Sequence, residues 1–127
     1  MRVRGVRGAI SVARNEAAAI GAATKELLQG ILEANPALDP ADVASAFFTV
    51  TDDLNATYPA LAARELGWHT VPLLCAREIP VPGALPRCVR VLIHWNTDLA
   101  QTAVRHVYLG EAVRLRPDLN GDGAQVG

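Results

Sequence analysis

Apolar residues at Ile20, Leu27, Leu28, Ile31 and Leu32 recur at the spacing of a helix with one buried face. Asn15 offers a cap before this run, and Asn35-Pro36 ends it. Asp39-Pro40-Ala41-Asp42 places a capping side chain before a proline at the first helical position, so a short second helix is expected there. Thr57 to Gly67 reads as a third, capped by Thr57, opened by Pro59 and stopped by Gly67. Between the helices the pattern shortens to that of strands. Residues 2–12, Ala46 to Thr51, Val71 to Cys75, Cys88 to Trp95 and Arg105 to Leu109 are rich in β-branched and aromatic side chains. Pro80 to Pro86 is a proline-rich turn leading into the fourth of these strands.

Strands mixed with one long helix and two short ones predict an α+β domain, a mixed sheet covered on one side. A length of 127 residues fits a single domain, assigned to residues 1–119. Residues 120–127 are polar and glycine-rich and are expected to be a disordered tail. Several strands carry apolar residues on both faces, more than one long helix can cover, which points to an oligomer.

Composition removes several classes of function. The formal net charge is −1, and the basic residues are scattered along the chain, which argues against nucleic acid and anionic membranes as partners. Gly5-Val-Arg-Gly8 offers backbone donors next to a basic side chain, but no aromatic platform accompanies it. No apolar run follows the N-terminal arginines and no segment reaches the length of a membrane span, so a cytoplasmic protein is expected. Cys75 and Cys88 lack metal-type spacing, and His69, His94 and His106 are far apart, so no metal or other cofactor is expected. Ser11 and Ser45 are the only serines, and neither sits in a nucleophile elbow.

Arg90 is the residue that changes the picture. It stands in Cys88-Val-Arg-Val-Leu-Ile-His-Trp95, which reads as a buried strand. A guanidinium does not lose its proton and is costly to bury alone, so its partner must come from elsewhere in the fold or be a ligand. Its planar fork suits a carboxylate or a phosphate. Glu78, between an apolar strand and the proline-rich turn, reads either as a surface carboxylate or as part of a site. Arg64 reads as solvated or functional, and Arg105 and Arg116 could pair with Glu111 and Asp118. Cys75 reads as a buried, inert thiol or as a nucleophile.

Several motifs in order carry a resemblance. Arg4-Gly-Val-Arg-Gly-Ala9, Thr49-Val-Thr-Asp-Asp-Leu54 with Tyr58-Pro-Ala60, Val71-Pro-Leu-Leu-Cys-Ala-Arg-Glu78, Cys88-Val-Arg-Val91, and Arg105-His-Val-Tyr-Leu109 with Leu115-Arg-Pro-Asp-Leu119 are the segments concerned. Together they closely resemble the monofunctional chorismate mutases of the trimeric α/β type, from about residue 2 to 119. The resemblance implies a pseudo-barrel homotrimer with active sites between subunits, and conversion of chorismate to prephenate on the branch leading to phenylalanine and tyrosine.

The resemblance also assigns roles. Arg90 matches the arginine that donates to the ether oxygen of the breaking bond. Arg7 and Tyr108 match the residues that hold the side-chain carboxylate, and Glu78 with the Cys75 region matches the groups that bond the ring hydroxyl. Arg64 and Arg116 match cations near the ring carboxylate, while Leu73, Leu74, Leu115, Tyr58 and Ala60 match the wall. Tyr58 stands where phenylalanine is frequent, and Leu61 where lysine can occur, which removes a charge from that position. Two other classes share the chemistry of an arginine gripping a carboxylate. One is a trimeric deaminase of enamines or imines, and the other is a non-catalytic regulator that binds a carboxylate ligand.

Overall fold

The computed structural model describes residues 1–115. The expectations for Arg116 and for the tail at 120–127 lie outside the described residues. Five strands form one mixed sheet in the order β3-β2-β4-β1-β5. At its centre β1 (Arg2–Ser11) runs antiparallel to β4 (Cys88–Thr97). β2 (Val43–Val50) flanks β4, also antiparallel, and β3 (Leu73–Arg77) lies parallel to β2 at one edge. At the other edge β5 (Val107–Leu109) pairs parallel with β1 over three residues. The expected α+β class with a mixed sheet is the one observed.

One face of the sheet is covered by α1 (Ala17–Ala34), which buries Ile20, Thr24, Leu27, Leu28 and Ile31. Alternate strand residues meet them in the core, among them Val6, Ile10, Phe48, Val89, Val91, Ile93 and Trp95. Gly8 is where helix and strand approach most closely, since a Cβ there would lie 2.8 Å from Ile31 Cδ1 and 3.1 Å from Leu27 Cδ1. The short helix α2 (Ala60–Glu65) follows β2 and is tied to α1 by a 3.0 Å ion pair between Lys25 and Glu65.

The opposite face of the sheet is open in the single chain. The residues that alternate with the core set point there: Arg7 and Ala9 on β1, Arg90 and Leu92 on β4, Phe47 and Thr49 on β2, and Leu74 on β3. Phe47, Leu92 and Leu74 are 41%, 37% and 59% exposed. This is the apolar surplus that the strand patterns implied.

Several boundaries differ from the sequence reading. Asn15 does not cap α1, whose capping position is Glu16 with no side-chain bond. The Asn15 amide instead accepts from the Asn55 and Ala56 backbone N–H groups at 3.0 and 3.1 Å and donates to Asn55 Oδ1 at 2.7 Å. The expected helix after Asp39 is a single 3₁₀ turn, Pro40–Asp42, which Asp39 does cap by accepting from the Ala41 N–H at 2.9 Å. Thr57 is not the cap of α2, because the chain turns into the helix at Pro59. The third strand lies two residues later than expected, which puts Glu78 immediately after it. Glu111 pairs with Arg114 at 3.3 Å, not with Arg105.

Candidate active site

The register of the sheet determines what surrounds Arg90. It lies opposite Thr49 on β2 and Ala9 on β1, and Ala9 in turn lies opposite Tyr108 on β5. The neighbouring row runs Leu74, Phe47, Leu92, Arg7. These two rows place Arg7, Arg90 and Tyr108 around a hollow of about 250 Å³ lined also by Phe47, Thr49 and Leu92. Three of the residues singled out from the sequence thus meet in one depression on the open face.

Arg90 is not buried as its apolar flanks implied. Strand alternation buries Val89, Val91 and Ile93 on the helix side and turns Arg90 to the open side, where its side chain is 42% exposed. A partner exists within the chain: Glu78 Oε2 lies 3.6 Å from Arg90 Nε. Glu78 is seated by its backbone N–H, which donates to the Val50 carbonyl at 2.8 Å, and its Oε2 also accepts from the Thr49 hydroxyl. Arg90 Nε itself is buried without a hydrogen-bond partner among the described residues. Such a donor is ready for an incoming acceptor.

At the β5 side, the Arg7 backbone N–H donates to His106 Nδ1 at 2.9 Å, where β5 is too short to supply a strand partner. Tyr108 packs with Ala9, Cys88 and Ala112, and Leu115 lies against the same cluster. Burial pushes the Cys88 thiol up from its ordinary value of 9.0, while the nearby Arg90 guanidinium opposes the shift. Cys88 is therefore held as a neutral thiol beside Arg90.

The remaining candidates fall elsewhere on the chain. Cys75 pairs with Phe48, so it faces the helix side of the sheet, away from Arg90. With Tyr58, Pro59, Val50 and Leu54 it lines a separate hollow of about 390 Å³. Tyr58 is 74% exposed and also lines a groove between α1 and α2 that includes Leu61. Arg64 is exposed on α2, and Ala60 is buried in the core. Leu73 is half-buried against the core, whereas Leu74 extends the open-face row to the sheet edge. The single chain therefore divides the candidates into a group around Arg90 and a group around Tyr58.

Thr49, Phe47 and Cys88 were not singled out from the sequence. Thr49 and Phe47 alternate on β2 and so share a face, but only the β2–β4 register reveals that this face is Arg90's.

A family model for chorismate mutase type I matches residues 3–119. The chain belongs to the type I chorismate mutase family. Its members are isomerases, and this mutase is one of them. It is 60% identical over 117 residues to chorismate mutase AroH of Thermus thermophilus, spanning 92% of this chain and 96% of that protein. Chorismate mutase AroH of Bacillus subtilis (strain 168) is 46% identical over 121 residues, 94% of each chain. Among solved structures, a chorismate mutase from Clostridium thermocellum superposes with a TM-score of 0.83 at 46% identity, covering 85% of this mutase and 96% of that chain. Among the described residues of the mutase, no helix is long and apolar enough to cross a membrane, and no three His, Cys, Asp or Glu side chains converge on a metal-sized site.

Proposed function

We propose that the mutase rearranges chorismate to prephenate in the hollow around Arg90, and that this hollow is one half of a site completed by a second subunit of a homotrimer. The observation that carries the reading is the placement of Arg90 at the centre of the open face, flanked by Arg7 and Tyr108 and backed by Glu78. A rearrangement within one molecule requires no nucleophile and no acid–base pair. What it requires is a flexible substrate held in its reactive chair and donors where charge develops.

In this reading Arg90 donates to the ether oxygen as the bond breaks. Arg7 and Tyr108 hold the side-chain carboxylate, and Glu78 accepts from the ring hydroxyl. A rate acceleration on the order of 10⁶ corresponds to about 8 kcal/mol. One preorganised donor supplies roughly 3 to 4 kcal/mol of that, and the fixed chair supplies much of the rest.

The shared site is supported by the division of the candidates. Tyr58 lines one hollow with Cys75 and another with Leu61, and Arg64 is exposed on the same short helix as Leu61; these groups are suited to closing the Arg90 hollow of a neighbouring copy. Exposed Phe47 and Leu92 beside the hollow favour burial against such a copy. A cytoplasmic location fits a water-soluble substrate.

The test follows three signals with the purified protein: loss of chorismate, appearance of prephenate and release of ammonia. Equal loss and gain without ammonia is the expected result. Ammonia release would favour the deaminase-like alternative, and binding without turnover would favour a regulator.

A further inference from the structure

We propose that Thr49 is a positioning residue for the rearrangement, one whose hydroxyl restrains the Glu78 carboxylate and keeps it from closing onto Arg90. The inference rests on the roles proposed above for Arg90 and Glu78. Thr49 lies directly opposite Arg90 in the β2–β4 ladder. Side chains at opposed positions project from one face with their Cβ atoms about 5 Å apart. Glu78 reaches between them from the end of β3, its backbone anchored on Val50.

Thr49 and Arg90 therefore both address one carboxylate oxygen, and the hydroxyl helps to fix where that oxygen sits. The Thr49 hydroxyl donates to Oε2, and Arg90 Nε stands 3.6 Å from the same oxygen, outside hydrogen-bond range. An arginine–carboxylate pair left to itself closes to about 2.8 Å, frequently through two parallel bonds. Here the hydroxyl tethers the shared oxygen at 3.6 Å from Arg90 Nε, which remains buried without a hydrogen-bond partner among the described residues.

The chemistry gives this gap a purpose. A guanidinium tightly bonded to a carboxylate has its charge compensated and its donors occupied. A donor kept open can strengthen its bond to an oxygen that becomes negative only as the reaction proceeds. Thr49 thereby preserves the electrophilic character of Arg90 without touching the reacting atoms. Since both contacts fall on Oε2, the other Glu78 oxygen is the one presented to a ring hydroxyl.

The experiment is a double-mutant cycle on the full-length protein, with kcat and KM measured separately. Thr49→Val keeps the shape and removes the hydroxyl, and should lower kcat by about 10- to 100-fold with little change in KM. Thr49→Ser should restore most of the loss. In a Glu78→Gln background, where no carboxylate can collapse onto Arg90, Thr49→Val should have less than about a twofold further effect. Equal losses in both backgrounds, an unchanged kcat for Thr49→Val, or a serine variant as poor as the valine would overturn the role. Arg90→Ala measured alongside separates the two levels of inference. If it spares kcat, the electrostatic reading of Arg90 fails; if it abolishes turnover while Thr49→Val does nothing, only the role of Thr49 falls. Thermal unfolding of each variant at one protein concentration checks that the fold is intact.

Discussion

At the scale of single residues, the informative quantity is how much of each charge is compensated before substrate arrives. Arg90 is legible as the centre of the candidate site because a permanent charge interrupts an apolar run. Its exposure and its partner are not, because both depend on strand alternation and on a residue twelve positions away. If the contact of Arg90 strengthens as the ether bond breaks, Arg90→Ala should lower kcat by about 10² to 10³ or more while KM changes far less. Lysine should restore only part of it, since a point charge on a flexible stem lacks the fork. Steady-state kinetics decide this, and a rise in KM alone would contradict the electrostatic role. The cysteines teach the same lesson. The resemblance points to Cys75, while the thiol beside Arg90 is Cys88, and no periodicity in the sequence distinguishes them. Because burial raises the Cys88 value, the fold favours its neutral form. That contribution is fully present below 9.0 and is lost as pH rises through the raised folded value. Denaturant unfolding as pH rises from 9.0 through that raised value should therefore show a steeper loss of stability in the wild type than in Cys88→Ala.

At the scale of elements, α1 and the long central strands were legible because their periodicity extends over many residues. The ends were less so, because Asn15 and Thr57 are competent caps by type, and tertiary contacts decide whether they act as caps. Asn15 is recruited by the loop at 55–56, which leads directly to Tyr58. Glycines show the same dependence on context. Gly8 lies under α1, where an added Cβ would also meet the Val107 carbonyl at 3.3 Å, whereas at Gly21 it would meet nothing within 4 Å. Overpacking costs about 1 to 3 kcal/mol, while the lost freedom of the unfolded chain returns only about 0.4 to 1. Gly8→Ala should therefore be destabilising. Gly21→Ala, mid-helix with open space, should be stabilising by roughly 0.5 to 1 kcal/mol. Chemical denaturation of both variants at one protein concentration checks the opposite signs.

At the scale of the whole molecule, the proposed assembly would account for both the open sheet face and the two separated groups of candidate residues. Strand patterns made the surplus of apolar surface legible, but not the division of the candidate residues, which appears only once β3 is placed at the sheet edge and α2 after β2. Three 13.5 kDa chains make a particle of about 40 kDa, which light scattering would read directly. A sharper expectation concerns activity. If each site takes Arg90 from one subunit and Tyr58 with Leu61 from the next, an Arg90→Ala chain and a Tyr58→Asp/Leu61→Asp chain are defective in different halves. Each should be nearly inactive alone. When the two are mixed equally, unfolded and refolded together, about a quarter of the interfaces in a closed ring combine two intact halves. Recovery of about a quarter of wild-type turnover is therefore expected, and it should require subunit exchange, so simple mixing without refolding should recover less. A mixture that stays inactive after refolding into wild-type-sized particles would mean that Arg90, Tyr58 and Leu61 serve the same site from the same chain, and the open face would then need another explanation.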